Sequence, residues 1–166
     1  MNRKPRRPAQ LDDAQIEAIE GEADVAYNSE LAHTSAQALL PMGRHFRETD
    51  RDAVARVQAL VDSEGVDVVA ESWVRSPEDS LPGILWRGYL LREWIRREPD
   101  DVARRFEAVV TALRGRGDAG EANSIPKPGA IRQEWDLVLA GAYEGDFAAL
   151  LESSATFARH LGEIEA

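Results

Sequence analysis

Between residues 80 and 97 the chain reads Ser80-Leu81-Pro82-Gly83-Ile84-Leu85-Trp86-Arg87-Gly88-Tyr89-Leu90-Leu91-Arg92-Glu93-Trp94-Ile95-Arg96-Arg97. Apolar positions recur at helical spacing around nearly the whole circumference, and a helix of that kind belongs at the centre of a fold. Ser80 caps its start, and Pro82 is tolerated in its first turn. With Ile84 at zero and about 100° per residue, Gly88, Leu91 and Ile95 fall in the innermost stripe. Gly88 there lets a second helix approach closely. Arg87 falls between Leu91 and Trp94, inside the greasiest sector, while Glu93, Arg96 and Arg97 hold the polar sector with Trp86 partly in it.

The flanking patterns are helical too. Acids at Asp12 and Asp13 open a first helix along Ile16, Ile19, Ala23, Ala26 and Tyr27. The pattern loosens at Asn28-Ser29 and resumes through Leu31, Ala36, Leu39 and Leu40 to stop at Pro41, so residues 12–40 read as one bent helix or two. Thr49 caps a helix along Val54, Val57, Leu60 and Val61, and Gly65 stops it. Residues 66–74 fit a strand and a helix equally; with no second strand to pair, helix is expected. Pro99 opens a helix along Val102, Phe106, Val109, Val110 and Leu113, ended by Gly115. Residues 115–130 read as the longest loop. Ile131, Trp135, Val138 and Leu139 mark a helix ending near Gly145, and Asp146 caps the last, through Phe147, Leu150, Leu151, Phe157, Leu161 and Ile164. The pattern predicts an all-α, single-domain bundle of six to eight helices around a central apolar helix. Residues 1–10 are a flexible basic arm, and residues 11–166 the helical domain.

A chain of 166 residues can bury its own core, and without cysteine it holds no disulfide, thiolate metal site or cysteine nucleophile. The missing cysteines fit a cytoplasmic setting. No run approaches the length of a membrane span, and the basic N-terminus lacks the apolar segment of a secretory signal. Net charge is −10; setting aside Arg3, Lys4, Arg6 and Arg7, the remainder carries about −14. Such a body repels phosphate backbones, so nucleic acid is disfavoured except for weak, salt-sensitive attraction through the arm. Lys4 and Lys127 are the only lysines beside many arginines and alanines, which suggests the codon usage of a GC-rich bacterium.

Candidate chemistry is sparse. Gly115-Arg116-Gly117-Asp118-Ala119-Gly120 has the spacing of a dinucleotide fingerprint, but a helix precedes it where a strand is required. Glu30 and His33, with His160 and Glu163, echo half of a carboxylate-histidine dimetal pattern; the full set is missing, so no metal and no cofactor are expected. His45 has no nucleophile or triad pattern around it. Paired acids such as Asp100-Asp101 stand at helix starts, where the dipole explains them.

Arg87 keeps its charge wherever it lies, so unless it snorkels out to water it needs a carboxylate or carbonyl partner, with Asp67, Glu71, Glu134 and Asp136 as candidates, or an anion. The first case is a structural ion pair. The second is an anion-binding arginine in a pocket with Tyr89 or Tyr143 beside it. Trp73, Trp86, Tyr89 and Trp94 are the further interface or ligand candidates, since Trp, Tyr and Arg dominate contact energies. The leading expectation is a non-enzymatic protein-protein interaction module. The alternative is a small anionic-ligand-binding protein or enzyme with its pocket at Arg87 in the helical core.

Overall fold

Helix punctuation along the chain sets the architecture. The computed structural model describes residues 13–40 and 51–162. The basic arm, Asp12, Pro41, His45, the Thr49 cap, Glu163 and Ile164 lie outside the described residues, as do the side chains of Ile16, Ile19 and Ala23. The fold is all-α. Among the described residues there are eight helices and no strand: α1 (Asp13–Leu39), α2 (Arg51–Glu64), α3 (Val66–Glu71), α4 (Leu81–Arg97), α5 (Pro99–Gly115), α6 (Ala119–Ser124), α7 (Pro128–Leu139) and α8 (Phe147–Gly162). None of them is long and apolar enough to cross a membrane.

The caps act where the sequence places them. Ser80 Oγ accepts the Gly83 N–H at 3.2 Å to start α4, and Asp146 Oδ1 accepts the Ala149 N–H at 3.2 Å to start α8. Gly65 separates α2 from α3, which settles residues 66–71 as helix. Glu98 alone separates α4 from α5, because a residue before proline is pushed out of the helical region and Pro99 sits at the first turn of α5.

One open alternative is settled and two expectations change. Helix α1 is one continuous helix of 27 residues. Its pattern loosens because residues 24–30 are all exposed, whereas Ala32, Ser35, Ala36, Leu39 and Leu40 are buried. The 115–130 loop contains α6, whose single buried side chain, Ala122, leaves almost no apolar signal. Helix α5 ends at Gly115 as expected, with its turn residue at Gly117, and the stop after α7 is Gly141 rather than Gly145. Gly117 and Gly141 have positive φ, 88° and 69°, and both sit in the tight turn where 6→1 bonds run from Asp118 N to Leu113 O and from Ala142 N to Leu137 O.

Helix α4 occupies the middle. It packs on α1, α3, α5 and α7, most extensively on α7, while α8 closes over α5 and α7. The reason for the tight α4–α7 contact is Gly88. A Cβ there would lie 2.1 Å from the six-membered ring of Trp135, so the indole occupies the space a side chain would need. Trp135 is 1% exposed; its Nε1–H donates to Ser154 Oγ of α8 at 2.9 Å, and its ring meets Phe147 edge-on at 6.1 Å. A second buried tryptophan follows the same rule. Trp73 donates to Ser35 Oγ of α1 at 3.0 Å, so each large ring buries its apolar body and satisfies its one donor.

Gly88→Ala is expected to destabilise the chain by about 3 kcal/mol in urea denaturation, because the added atom overlaps the buried Trp135 ring. Gly120→Ala, in α6 with open space around the new atom, is expected to be neutral or stabilising by about 0.5 kcal/mol.

Candidate functional site

On α4, Trp86, Tyr89, Leu90, Glu93, Trp94 and Arg97 each have another of the set three or four residues away, which sets them along one face. The short helix α3 lies against that face and contributes Asp67 and Glu71, also four apart. Together with Glu98 at the end of α4 these residues line a cleft of about 440 Å³. The rings of Trp86 and Tyr89 stack with centroids 5.5 Å apart and planes 18° from parallel. The Tyr89 hydroxyl donates to Asp67 Oδ1 at 2.6 Å. Burial, and then that bond to a carboxylate, push the phenol up to about 12. Leu90 is 46% exposed, and Glu71 and Glu98 have no ion-pair partner among the described residues.

The floor of the cleft is held by charge. Glu93 is only 5% exposed and is surrounded by Arg92 at 2.7 Å, Arg96 at 2.8 Å and Arg97 at 2.9 Å. The hydrogen bonds from Arg96 outweigh the cost of burial and, with those from Arg97, bring the Glu93 carboxyl down to about 2. Arg92 also donates to Asp136 Oδ1 at 2.6 Å, which ties this hub to α7.

Arg87 is therefore not the charge inside the helical core. The buried face of α4 is centred on Leu85, about 100° round from Ile84, and takes in Gly88, Tyr89, Glu93 and Ile95. That rotation carries Arg87 outward, where its side chain is 55% exposed and pairs with Glu78, itself 84% exposed. Of the four acids offered to Arg87, Asp67 holds Tyr89 and Asp136 holds Arg92. Glu93 was missed because a wheel weighting all apolar residues alike follows Ile84, Leu91 and Ile95. The available signal was the run Arg92-Glu93-x-x-Arg96-Arg97: an acid followed by bases three and four residues on carries its own counter-charges into a buried site.

The remaining candidates separate. Trp86, Tyr89 and Trp94 come together in the cleft, with Trp94 also touching Phe157 edge-on at 6.5 Å. Trp73 is fully buried and presents no surface for a partner. Tyr143 donates to Asp146 O at 3.0 Å and does not line the groove that Arg87 borders. Glu30 and His33 stand exposed on α1, and His160 faces Glu121 at 3.4 Å. Among the described residues no three metal-ligating side chains converge. Arg87 lines a different feature, an apolar groove of about 330 Å³ between α4 and α8 with Trp135 at its floor. No protein-family model, curated protein sequence or solved structure matches this chain.

Glu93 stays ionised in the folded chain down to about pH 2, against 4.5 for an ordinary glutamate, so its stabilising share is complete above the higher value and is lost as pH falls toward the lower. Glu93→Gln is expected to cost about 2 kcal/mol at neutral pH, less than the full shift because water screens Arg96 and Arg97. Chemical denaturation from pH 7 to 2.5 checks both points: the variant loses less stability across the acid range than the parent chain.

Proposed function

We propose that this chain is a non-enzymatic protein-interaction module. Its docking surface is the cleft between α3 and α4, and its occupant is a basic segment of another protein in which arginine stands beside apolar residues. The observation that carries this reading is the coincidence of a wall of Trp86, Tyr89 and Trp94, an exposed Leu90 and two acids, Glu71 and Glu98, that make no ion pair among the described residues. An incoming guanidinium meets carboxylates at the rim and aromatic faces within, and its neighbours meet Leu90. The net charge of −10 adds attraction at long range.

Two titrating groups of the cleft, Tyr89 and Glu93, favour binding over catalysis. An acid–base catalyst needs a group poised near the working pH. Here Tyr89 is held protonated up to about 12, and Glu93 is held ionised down to about 2. Neither exchanges a proton readily near neutrality. A cytoplasmic setting accords with the cysteine-free sequence.

Fluorescence anisotropy with a labelled peptide of alternating arginine and leucine, against the same peptide with glutamate for arginine, tests the proposal. The basic peptide is expected to bind and the acidic one not. Trp86→Ala should weaken binding about tenfold or more, as for an interface anchor. The double charge reversal Glu71→Lys, Glu98→Lys should abolish the preference, while Glu107→Lys, exposed on α5 outside the cleft, changes it little. Equal binding of both peptides, or indifference to the cleft variants, refutes the assignment.

A further inference from the structure

The groove on the other side of α4 has a different chemistry. Ile84 and Leu91 of α4 face Leu151 and Ala155 of α8 across a floor made by Trp135. Two polar side chains reach this space, Arg87 and Ser154. Its volume of about 330 Å³ is that of a site for a small molecule rather than a packing flaw.

Both polar groups can donate to a ligand. Ser35, Ser63, Ser72 and Ser124 each give their hydroxyl hydrogen to the carbonyl three residues back. Ser154 does not. It accepts the Trp135 indole N–H at 2.9 Å, is 8% exposed, and donates to no acceptor among the described residues. Its hydrogen is left for something in the groove. Arg87 is engaged by Glu78, but that pair is open to water on both sides, and such pairs contribute little and exchange easily. Two donors ask for an acceptor, and the permanent charge of Arg87 makes that acceptor an anion. The remaining lining asks for an apolar body.

We propose that this groove binds a small amphiphilic carboxylic acid. The hydrocarbon or aromatic body lies on Trp135 between α4 and α8, and the carboxylate displaces Glu78 from Arg87, whose planar fork matches it. The acidic protein opposes an anion at long range, but at 0.15 M salt that field decays over about 8 Å, which leaves the nearest cation to decide.

Isothermal titration of the full chain with octanoate, octanol and octyltrimethylammonium, at 0.15 M salt and below micelle formation, tests the assignment. Octanoate is expected to bind about tenfold more tightly than octanol, the worth of one charge-assisted hydrogen-bonded contact, and the cation more weakly than either. Arg87→Met should erase the advantage of octanoate over octanol. Glu78→Gln, by freeing Arg87, should tighten octanoate binding a few-fold, and Ala155→Phe should block all three probes. Arg87 and Glu78 are surface groups, so these two variants keep the fold, which thermal unfolding checks. Trp86→Ala, on the opposite cleft, should leave octanoate binding intact. Absence of octanoate binding, equal affinity for octanoate and octanol, or an advantage that survives Arg87→Met overturns the proposal.

Discussion

The seat of the Trp135 ring on the bare backbone of Gly88 is the contact on which the rest of this molecule depends. It sets how closely α7 approaches α4, and α4 is the helix against which α1, α3 and α5 also pack. It positions the indole N–H against Ser154 and so fixes α8. It also leaves the ring itself as the floor of the groove between α4 and α8. One missing side chain thus determines a helix spacing, a buried hydrogen bond and the depth of a cavity.

Helix α4 carries two unlike surfaces. On one side aromatic rings and the acids Asp67, Glu71 and Glu98 line a cleft, resting on a carboxylate that three arginines hold ionised. On the other, a hydrocarbon-lined groove has an arginine at its edge. The acidic body therefore does not have one uniform chemistry. Arg92, Arg96 and Arg97 gather round Glu93, where they serve the fold, whereas Arg87 is held only at the surface by Glu78.

Much of the fold was legible in the residues, and the gaps have physical causes. Ser80, Asp146, Pro99 and Gly65 announce helix ends through local hydrogen bonding and backbone sterics, which act without reference to the rest of the chain. Gly88 announces a close approach because a small residue amid large ones has few other uses. Helix α6 was not legible, since Ala122 is its single buried side chain and α5 supports it from outside. The continuity of α1 was hidden because its exposed half needs no apolar stripe. At the site, Trp86, Tyr89 and Trp94 were identifiable as a group, but the side of α4 that faces inward was not. A helix apolar around most of its surface does not declare its orientation; the neighbours choose it, and here they chose the face of Leu85.

That choice is made permanent by two fastenings on adjacent residues of α7. Trp135 is lodged at Gly88, and Asp136 is bonded to Arg92, one helical turn further along α4. A cylinder held at one point can still roll; held at two points along its length, by a ring in a notch and by a charged tether, it cannot. Since a single residue step is about 100° of roll, a slip of one residue would turn both surfaces away from the helices that frame them. The paired fastenings therefore act as a key in a keyway, and they keep two opposed surfaces facing the same way throughout the life of the fold.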